Sequence, residues 1–182
     1  MKQALLSFCV AAALFACNSS DNKTASETKP GETKVAAMST KDLAYPVKDW
    51  PDWQPGNMEN LKTGLQALKD FENGNVAACL NAFGDSVTLR FDDLNGKFAK
   101  DSIEKMFTRQ RNTLKTLNIS MEDYETVKSK DGKEEWVSMW YKEKWEDQKG
   151  EWDSVVCMDD MRFQNGKIVV LDEKLRRFPK KK

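Results

Sequence analysis

Between residues 119 and 177 apolar and polar side chains alternate, and this period of two constrains the fold more than any other feature of the chain. Such alternation is typical of β-strands, whose successive side chains point to opposite faces of a sheet. It predicts four strands, over residues 120–128, 134–146, 151–164 and 167–177. The links between them are short and rich in turn-forming residues, and Asn165-Gly166 is a strong signal for a two-residue hairpin. The sequence therefore predicts a long antiparallel meander.

The region before the meander has helical spacing instead. Apolar residues that recur every three or four positions predict a first helix over residues 58–71, which stops at Asn73-Gly74. Asn75 is the predicted cap of a second, shorter helix that includes Phe83 and is closed by Gly84. These two helices would come before the first strand.

That strand is predicted over residues 87–91, and a third helix follows it. Asp101 and Glu104 have the spacing of a capping box, which predicts the start of this helix. Its inward residues are expected to be Ile103, Met106, Phe107, Leu114 and Leu117. Three helices followed by an antiparallel sheet predict an α+β domain.

The first seventeen residues have the pattern of an export signal. Lys2 precedes an apolar run over residues 4–15, which is too short to cross a bilayer. Ala16 and Cys17 then resemble the lipobox of bacterial lipoproteins. The resemblance implies that residues 1–16 are removed, that the Cys17 thiol is acylated with palmitate, and that the protein is exported. It would be anchored to a bacterial membrane, facing the periplasm or on the outer membrane; an ordinary cleavable signal is the alternative.

The rest of the chain divides by composition. Residues 17–42 are polar and predict a flexible tether, because they hold too little apolar material to fold. Residues 43–56 combine proline with large aromatic residues and predict an extended lead-in across the domain surface, or a strip that binds a partner. Residues 57–178 form the predicted domain, and residues 179–182 are a basic tail that either touches anionic headgroups or is simply solvated.

The residues that are missing exclude several kinds of chemistry. The chain has no histidine, which excludes histidine-based catalytic triads and histidine metal sites. No metal site and no cofactor are predicted. Metal binding by carboxylates alone stays open, although the Asp-x-Asp-x-Asp-Gly loop of calcium sites is absent. Cys79 and Cys157 remain after the leader is removed; they are compatible with one disulfide or with two free buried thiols.

The distribution of charge argues against nucleic acid as a partner. The chain contains 29 basic and 29 acidic residues, but residues 174–182 are basic without any acidic residue. The remainder of the domain is therefore acidic in balance, whereas binding to phosphates requires a basic face.

Four segments of the domain resemble the SnoaL-like branch of the nuclear transport factor 2-like superfamily. They are FENGN (71–75), LNAFGDSV (80–87), KDSIEKMF (100–107) and RFQNGKI (162–168). The resemblance covers about residues 57–178. It implies three helices packed on a strongly bent antiparallel sheet, which makes a cone with an apolar pocket at its open end.

The same resemblance places two positions where isomerases of this superfamily hold their catalytic groups. The position of the catalytic aspartate is Phe91 here, and the position of the oxyanion-binding tyrosine is Ala67. Phenylalanine cannot abstract a proton and alanine cannot donate to an oxyanion. That chemistry is therefore not expected, and the sequence favours a protein that is not an enzyme.

Carboxylates elsewhere could take over an acid–base role. Asp92-Asp93 follow the first strand, and Asp159-Asp160 lie inside the third strand of the meander. Only one member of each pair can face a pocket, because neighbouring strand residues point to opposite faces. The candidate catalytic residues are Asp160 and Asp92, acting with Tyr124 or Tyr141; the alternative is that these aspartates only form ion pairs.

Aromatic residues of the meander are the candidate pocket lining. Trp136 and Trp140 share one face of their strand, and Trp152 begins the next strand. Together with Phe91 they could line a site for a flat or apolar ligand, although cross-strand aromatic pairs often serve only to stabilise a sheet.

The sequence thus predicts a lipid-anchored envelope protein whose single domain binds a small apolar ligand or a protein partner without catalysis. Two alternatives stay open. One is a lyase or isomerase that uses an aspartate in the pocket, and the other is a structural homodimer that packs through its sheet face.

The lipid anchor can be tested by metabolic labelling with a fatty-acid analogue in a bacterial host. We expect the wild-type protein to take up label and Cys17→Ser to take up none, because only the Cys17 thiol stands at the predicted acylation position. Cys9→Ser is the control and should keep the label. Equal labelling of the wild type and Cys17→Ser would contradict the lipoprotein prediction.

Overall fold

The four long strands of the meander are present and pair in sequence within one sheet. They occur in a computed structural model that describes residues 43–48 and 50–178. The chain divides into two units, Met1–Leu43 and Ala44–Lys182, and every described strand and helix belongs to the second unit. The predicted signal peptide, Cys17, the predicted tether and the tail over residues 179–182 lie outside the described residues.

The described residues form seven strands and three helices. The strands are β1 (Gln54–Pro55), β2 (Phe83–Phe91), β3 (Leu94–Ala99), β4 (Leu114–Lys128), β5 (Glu135–Asp147), β6 (Trp152–Gln164) and β7 (Lys167–Arg177). The helices are α1 (Met58–Glu72), α2 (Val76–Cys79) and α3 (Lys100–Asn112), with a 3-10 turn over Leu80–Ala82. The fold is therefore α+β, as predicted. None of these helices is both long and apolar enough to cross a membrane.

The sheet has the strand order β1-β4-β5-β6-β7-β2-β3. All neighbouring strands are antiparallel except β2 and β7, which run parallel. The predicted lead-in supplies β1, in which Gln54 lies opposite Lys128 at the edge of the sheet. The ion pair between Asp52 and Lys130, at 2.9 Å, lies close to this edge.

The largest difference from the prediction is the hairpin of β2 and β3, where the sequence predicts only one strand over 87–91. Phe83 and Gly84 belong to β2 and not to the second helix, which ends at Cys79 and continues only as the 3-10 turn. The short β3 was missed because Gly96 interrupts its alternation of side chains.

The boundary between α3 and β4 also differs from the prediction. Leu114 and Leu117 lie in β4 rather than in the third helix, since α3 ends at Asn112. Their spacing of three fits a helix equally well, but in the structure Leu117 pairs with Trp145 of β5 and is buried. The predicted capping box is wrong too: Ala99 is the N-cap and makes no side-chain bond, so Asp101 lies inside the first turn.

Helix α1 agrees with its prediction. It packs against the face of the sheet that carries Val137 and Met161, called here the inner face. The side chain of Asn57 accepts a bond from the backbone N–H of Glu59 at its start. A Cβ atom on Gly64 would lie 3.3 Å from the Met161 sulfur and 3.7 Å from a methyl carbon of Val137. Glycine therefore lets the helix backbone approach the strands closely.

The core lies between the helices and the inner face of the sheet. Its fully buried members come from β2, α3, β5, β6 and β7: Val87, Leu89, Ile103, Val137, Met139, Cys157 and Ile168. Cys79 and Cys157 are both free, buried thiols, so the structure contains no disulfide between them.

Arg111 ties the end of α1 to the end of α3. Its guanidinium donates to the carbonyl oxygens of Phe71 at 3.1 Å, Glu72 at 3.0 Å and Leu114 at 3.1 Å. Two of these carbonyls belong to the last turn of α1, where no intrahelical donor is available. One side chain thus bonds acceptors from two elements, although the Phe71 carbonyl also accepts from the backbone N–H of Gly74 at 2.9 Å.

We expect Arg111→Met to lower the free energy of unfolding by about 2–3 kcal/mol, because hydrogen bonds from a charged group contribute roughly 1.5–3 kcal/mol. Urea denaturation of the full chain, followed by tryptophan fluorescence, measures the change. Arg109→Met is the matched control, since Arg109 lies in the same last turn of α3 but is exposed. Equal losses in both variants would show that the helix-end charge matters and the three bonds do not.

Candidate ligand pocket

A half-open pocket lies on the inner face of the sheet, between the strands and the helices α1 and α3. The residues that line it come from six strands and helices and from the end of α2. They are Ala67, Leu68, Phe71, Cys79, Phe83, Phe91, Phe107, Gln110, Tyr141, Glu143, Asp159, Met161, Leu171 and Glu173. Most of these side chains are apolar, and the polar ones are few, as is usual for small-molecule sites.

The pocket is small and limits a ligand to a few non-hydrogen atoms, since sites for drug-sized ligands have roughly 300–1,000 Å³. Its volume is about 60 Å³, several times the roughly 10–15 Å³ that a single water requires. Gln110 is the one exposed residue among those that line it. The mouth of the pocket therefore lies beside Gln110, on α3.

Aromatic rings form much of the wall. The rings of Phe71 and Phe107 meet edge to face with centroids 5.7 Å apart, and those of Phe83 and Phe107 are 5.8 Å apart. These contacts fix the orientation of the three rings. The apolar part of the pocket is thus held in place by the core itself.

The polar part of the pocket comes from the register of the central strands. Asp159 of β6 lies opposite Met139 of β5 and opposite Glu173 of β7. Tyr141 and Glu143 follow on the inner face of β5, two and four residues after Met139. Three carboxyl groups and one phenol therefore face the same space.

Asp159 and Tyr141 form a buried pair at the inner end of this polar group. Asp159 is 3% exposed and Tyr141 is 1% exposed. The Tyr141 hydroxyl donates to Asp159 Oδ2 at 2.9 Å, while Asp159 Oδ1 is buried without any hydrogen-bond partner. A buried acceptor without a hydrogen-bond partner lowers the free energy of unfolding by roughly 1–3 kcal/mol.

Burial raises the pKa of every acidic group in the pocket. It raises the pKa of Glu143 to about 7, and burial together with the nearby Glu143 charge raises the pKa of Glu173 to about 7. The pKa of Asp159 lies well above its usual range because of burial and of the Glu173 charge. The pKa of Tyr141 is also raised by burial and by Asp159, so the phenol stays a hydrogen-bond donor.

The charges of the pocket are not balanced by the protein. No lysine or arginine is among the residues that line it. Within the described residues no group of three histidine, cysteine, aspartate or glutamate side chains is placed to hold a metal ion. The three carboxyl groups are therefore close enough to influence one another but do not form a metal site.

The residues that the resemblance pointed to lie in this pocket. Phe91 and Ala67 both line it. Tyr141 lies there as well, bonded to Asp159 rather than to either of the other candidate aspartates.

The other candidate catalytic residues lie elsewhere. Asp160 is on the opposite face of β6, where it accepts a bond from Ser138 and pairs with Lys174 at 2.7 Å. Asp92 is in the turn between β2 and β3, 3.4 Å from Arg177. Tyr124 is an exposed residue of β4.

The three tryptophans that the sequence suggests as pocket lining do not line this pocket. Trp136 and Trp140 are on the same face of the sheet as Asp160, because Trp140 lies opposite Met158 and Trp136 opposite Arg162. Trp152 is 53% exposed, with the Lys144 ammonium 4.8 Å from its ring centroid. The physical reason is that successive side chains of a strand point to opposite faces of the sheet. The three tryptophans have even residue numbers, whereas the strand residues that line the pocket have odd ones.

Sequence reasoning missed Asp159, Glu143 and Glu173 as site residues. For Asp159 a signal was available, since it shares its strand face with Val155, Cys157 and Phe163, whereas the face of Asp160 includes Ser154. The more apolar face of a strand is the one that faces the core. Glu143 and Glu173 carry no such signal, because glutamate in a strand usually faces water.

The raised pKa values predict that the protein becomes less stable as pH increases from about 4.5 to about 7. In this range the folded protein keeps protons on Glu143 and Glu173 that an unfolded chain has released, so rising pH favours unfolding. We expect Glu143→Gln to remove part of this slope, worth about 2 kcal/mol across the range.

Urea denaturation at a series of pH values measures the slope. Glu122→Gln is the control, because Glu122 is exposed on β4. A stability that is constant or that rises over this range would contradict the burial of these carboxyl groups.

Comparisons with known proteins bear on the fold of the chain. No protein-family model matches it, and no curated protein does. Among solved structures, AusH from Aspergillus nidulans is similar, with a TM-score of 0.55 and 17% identity over 68% of this chain and 87% of that one. An NTF2-like protein from Anabaena variabilis is also similar, with a TM-score of 0.53 and 16% identity over 69% of this chain and 96% of that one.

A third similar structure is an LEH-like epoxide hydrolase from M. tuberculosis. Its TM-score is 0.53 and its identity is 10%, over 65% of this chain and 84% of that one. Identities this low speak to the fold alone. The fold of this chain is nuclear transport factor 2-like.

Proposed function

We propose that this domain binds a small, mostly apolar molecule in the pocket beside Gln110. The observation that carries the proposal is Asp159, a buried carboxyl group with one oxygen unpaired in a cavity whose walls are mostly apolar. A cavity with a few convergent polar groups and perturbed pKa values is the usual arrangement of a ligand site. A core without a ligand would be more stable with an apolar residue at this position.

We also propose the setting in which the domain works. The resemblance of residues 1–17 to a lipoprotein signal supports export and acylation of Cys17, and the polar segment after it supports a flexible tether. The domain would then meet its ligand at the surface of a bacterial membrane. Residues from α1, α3 and three central strands converge on the pocket, which supports a sheet that bends around it as a cone.

A second function, acid–base catalysis, is favoured by one observation. Glu143 has a pKa of about 7, which is suited to a general base near neutral pH. The neighbouring Tyr141 is a donor that is held in place by Asp159. Glu143 takes the place of Asp160 and Asp92 as the candidate base, and the single hydroxyl proton of Tyr141 is already donated to Asp159. The name of one structural neighbour, an epoxide hydrolase, shows that the fold can carry hydrolytic chemistry.

Native mass spectrometry of the full chain, purified from a bacterial host, tests the binding function. We expect a bound small molecule in the wild type and in Lys105→Trp, and none in Gln110→Trp, because a large ring at residue 110 would obstruct the mouth. Lys105 is an exposed residue of the same helix and does not line the pocket.

The outcomes of this experiment distinguish the binding function from its alternatives. A bound molecule that persists in Gln110→Trp contradicts the assignment of the pocket. If the wild type carries no molecule, and a fragment library screened by ligand-observed NMR gives no hit that Gln110→Trp abolishes, the binding function is wrong. A molecule that Glu143→Gln retains but the wild type converts would indicate catalysis.

A further inference from the structure

Asp159 Oδ1 is buried without a hydrogen-bond partner among the described residues. Its other oxygen is held by the Tyr141 hydroxyl at 2.9 Å, so the carboxyl group cannot turn without losing that bond. Asp159 is 3% exposed and lines the pocket. A molecule in the pocket is therefore the natural source of a donor to Asp159 Oδ1.

The charge of the pocket indicates what kind of donor fits. Glu143 and Glu173 lie on the strands on either side of Asp159. Neither carboxyl group forms a side-chain hydrogen bond or an ion pair with a described residue. Arg177 is the cation whose charge acts on Glu173, but its guanidinium is 67% exposed and pairs with Asp92. No cation among the lining residues balances these carboxyl groups when they ionise. A positively charged ligand would do so, and it would lower their raised pKa values.

A bare metal ion does not meet these requirements. The three carboxyl groups are not placed to hold one, and the walls of the pocket are phenyl rings rather than oxygen ligands. Aromatic faces and carboxylates together are instead the surroundings that stabilise an organic cation. The carbon skeleton of such a cation would contact Leu68, Phe71 and Phe107.

We infer that the ligand of this pocket is a small organic amine in its ammonium form, with an N–H group that donates to Asp159 Oδ1. This inference rests on the proposed binding function and names the chemical class of its ligand. Glu143 and Glu173 lie toward the partly exposed side of the pocket and attract the cation. Tyr141 fixes the orientation of the Asp159 carboxyl group. The ammonium charge lowers the raised pKa of Asp159 and so favours the ionised form that accepts the N–H.

Three probes with one carbon skeleton test the inference: n-butylammonium, 1-butanol and butyrate. Their affinities for the full chain are measured by ligand-observed NMR titration at pH 8, where Glu143 and Glu173 are ionised and the amine is still protonated. We expect a Kd for butylammonium at least tenfold below that for butanol, since charge-assisted hydrogen bonds are the stronger ones. Butyrate should show no saturable binding.

Variants separate the pocket charges from the charge of the whole molecule. Glu143→Gln and Glu173→Gln should each raise the Kd for butylammonium at least threefold and leave that for butanol within twofold. Asp160→Asn is the matched control, because it removes the same charge from the opposite face of β6. It should change neither Kd by more than twofold.

The failure of this inference differs from the failure of the binding function. If butanol binds as tightly as butylammonium and Gln110→Trp abolishes both, the pocket binds ligands but does not select a cation. An effect of Asp160→Asn as large as that of Glu143→Gln also overturns the inference, since bulk charge would explain it. If no probe binds and no molecule copurifies with the chain, the binding function itself is wrong.

Discussion

The register between β6 and its two neighbours determines what the inner face of this domain contains. Asp159 is opposite Met139 on one side and Glu173 on the other. Because side chains alternate with a period of two, a slip of one residue would move Asp160 into the core and Asp159 into solvent. The walls and the acidic groups of the pocket all depend on this one alignment. It is held by the apolar residues above and below Asp159, which would be exposed by the same slip.

The acidic pocket is an unfavourable feature that the rest of the core offsets. Directly opposed carboxylates on neighbouring strands destabilise a sheet, and burial adds a desolvation cost to each of them. The surrounding apolar side chains are buried almost completely, and Leu89, Ile103 and Val137 have no exposed surface. Such local conflict within a consistent fold is typical of functional sites. The raised pKa values limit this cost, because near neutral pH some of the three carboxyl groups keep their protons and the pocket carries fewer than three charges.

The sequence predicts the long strands well because two independent signals agree there. Alternation and turn residues place β7 at the observed residues, and β5 and β6 within one residue. Where only one signal exists the prediction is wrong, as for Leu114 and Leu117, whose spacing suits a helix until β5 provides partners. The site is harder still. Alternation separates Asp159 from Asp160, and the more apolar face of the strand is the one with Asp159. Tryptophan on the other face nevertheless suggested a pocket there.

The resemblance seen in the sequence agrees with the position of the pocket but not with its polar groups. By that resemblance Phe91 and Ala67 stand where isomerases hold polar groups, and both line the pocket as apolar wall. The polar groups of this chain come instead from β5, β6 and β7. A fold fixes where a cavity forms, because packing of helices on the sheet leaves the same space empty. Single side chains determine which strand or helix supplies a carboxyl group or a hydrogen-bond donor. Such side chains can change without altering the fold.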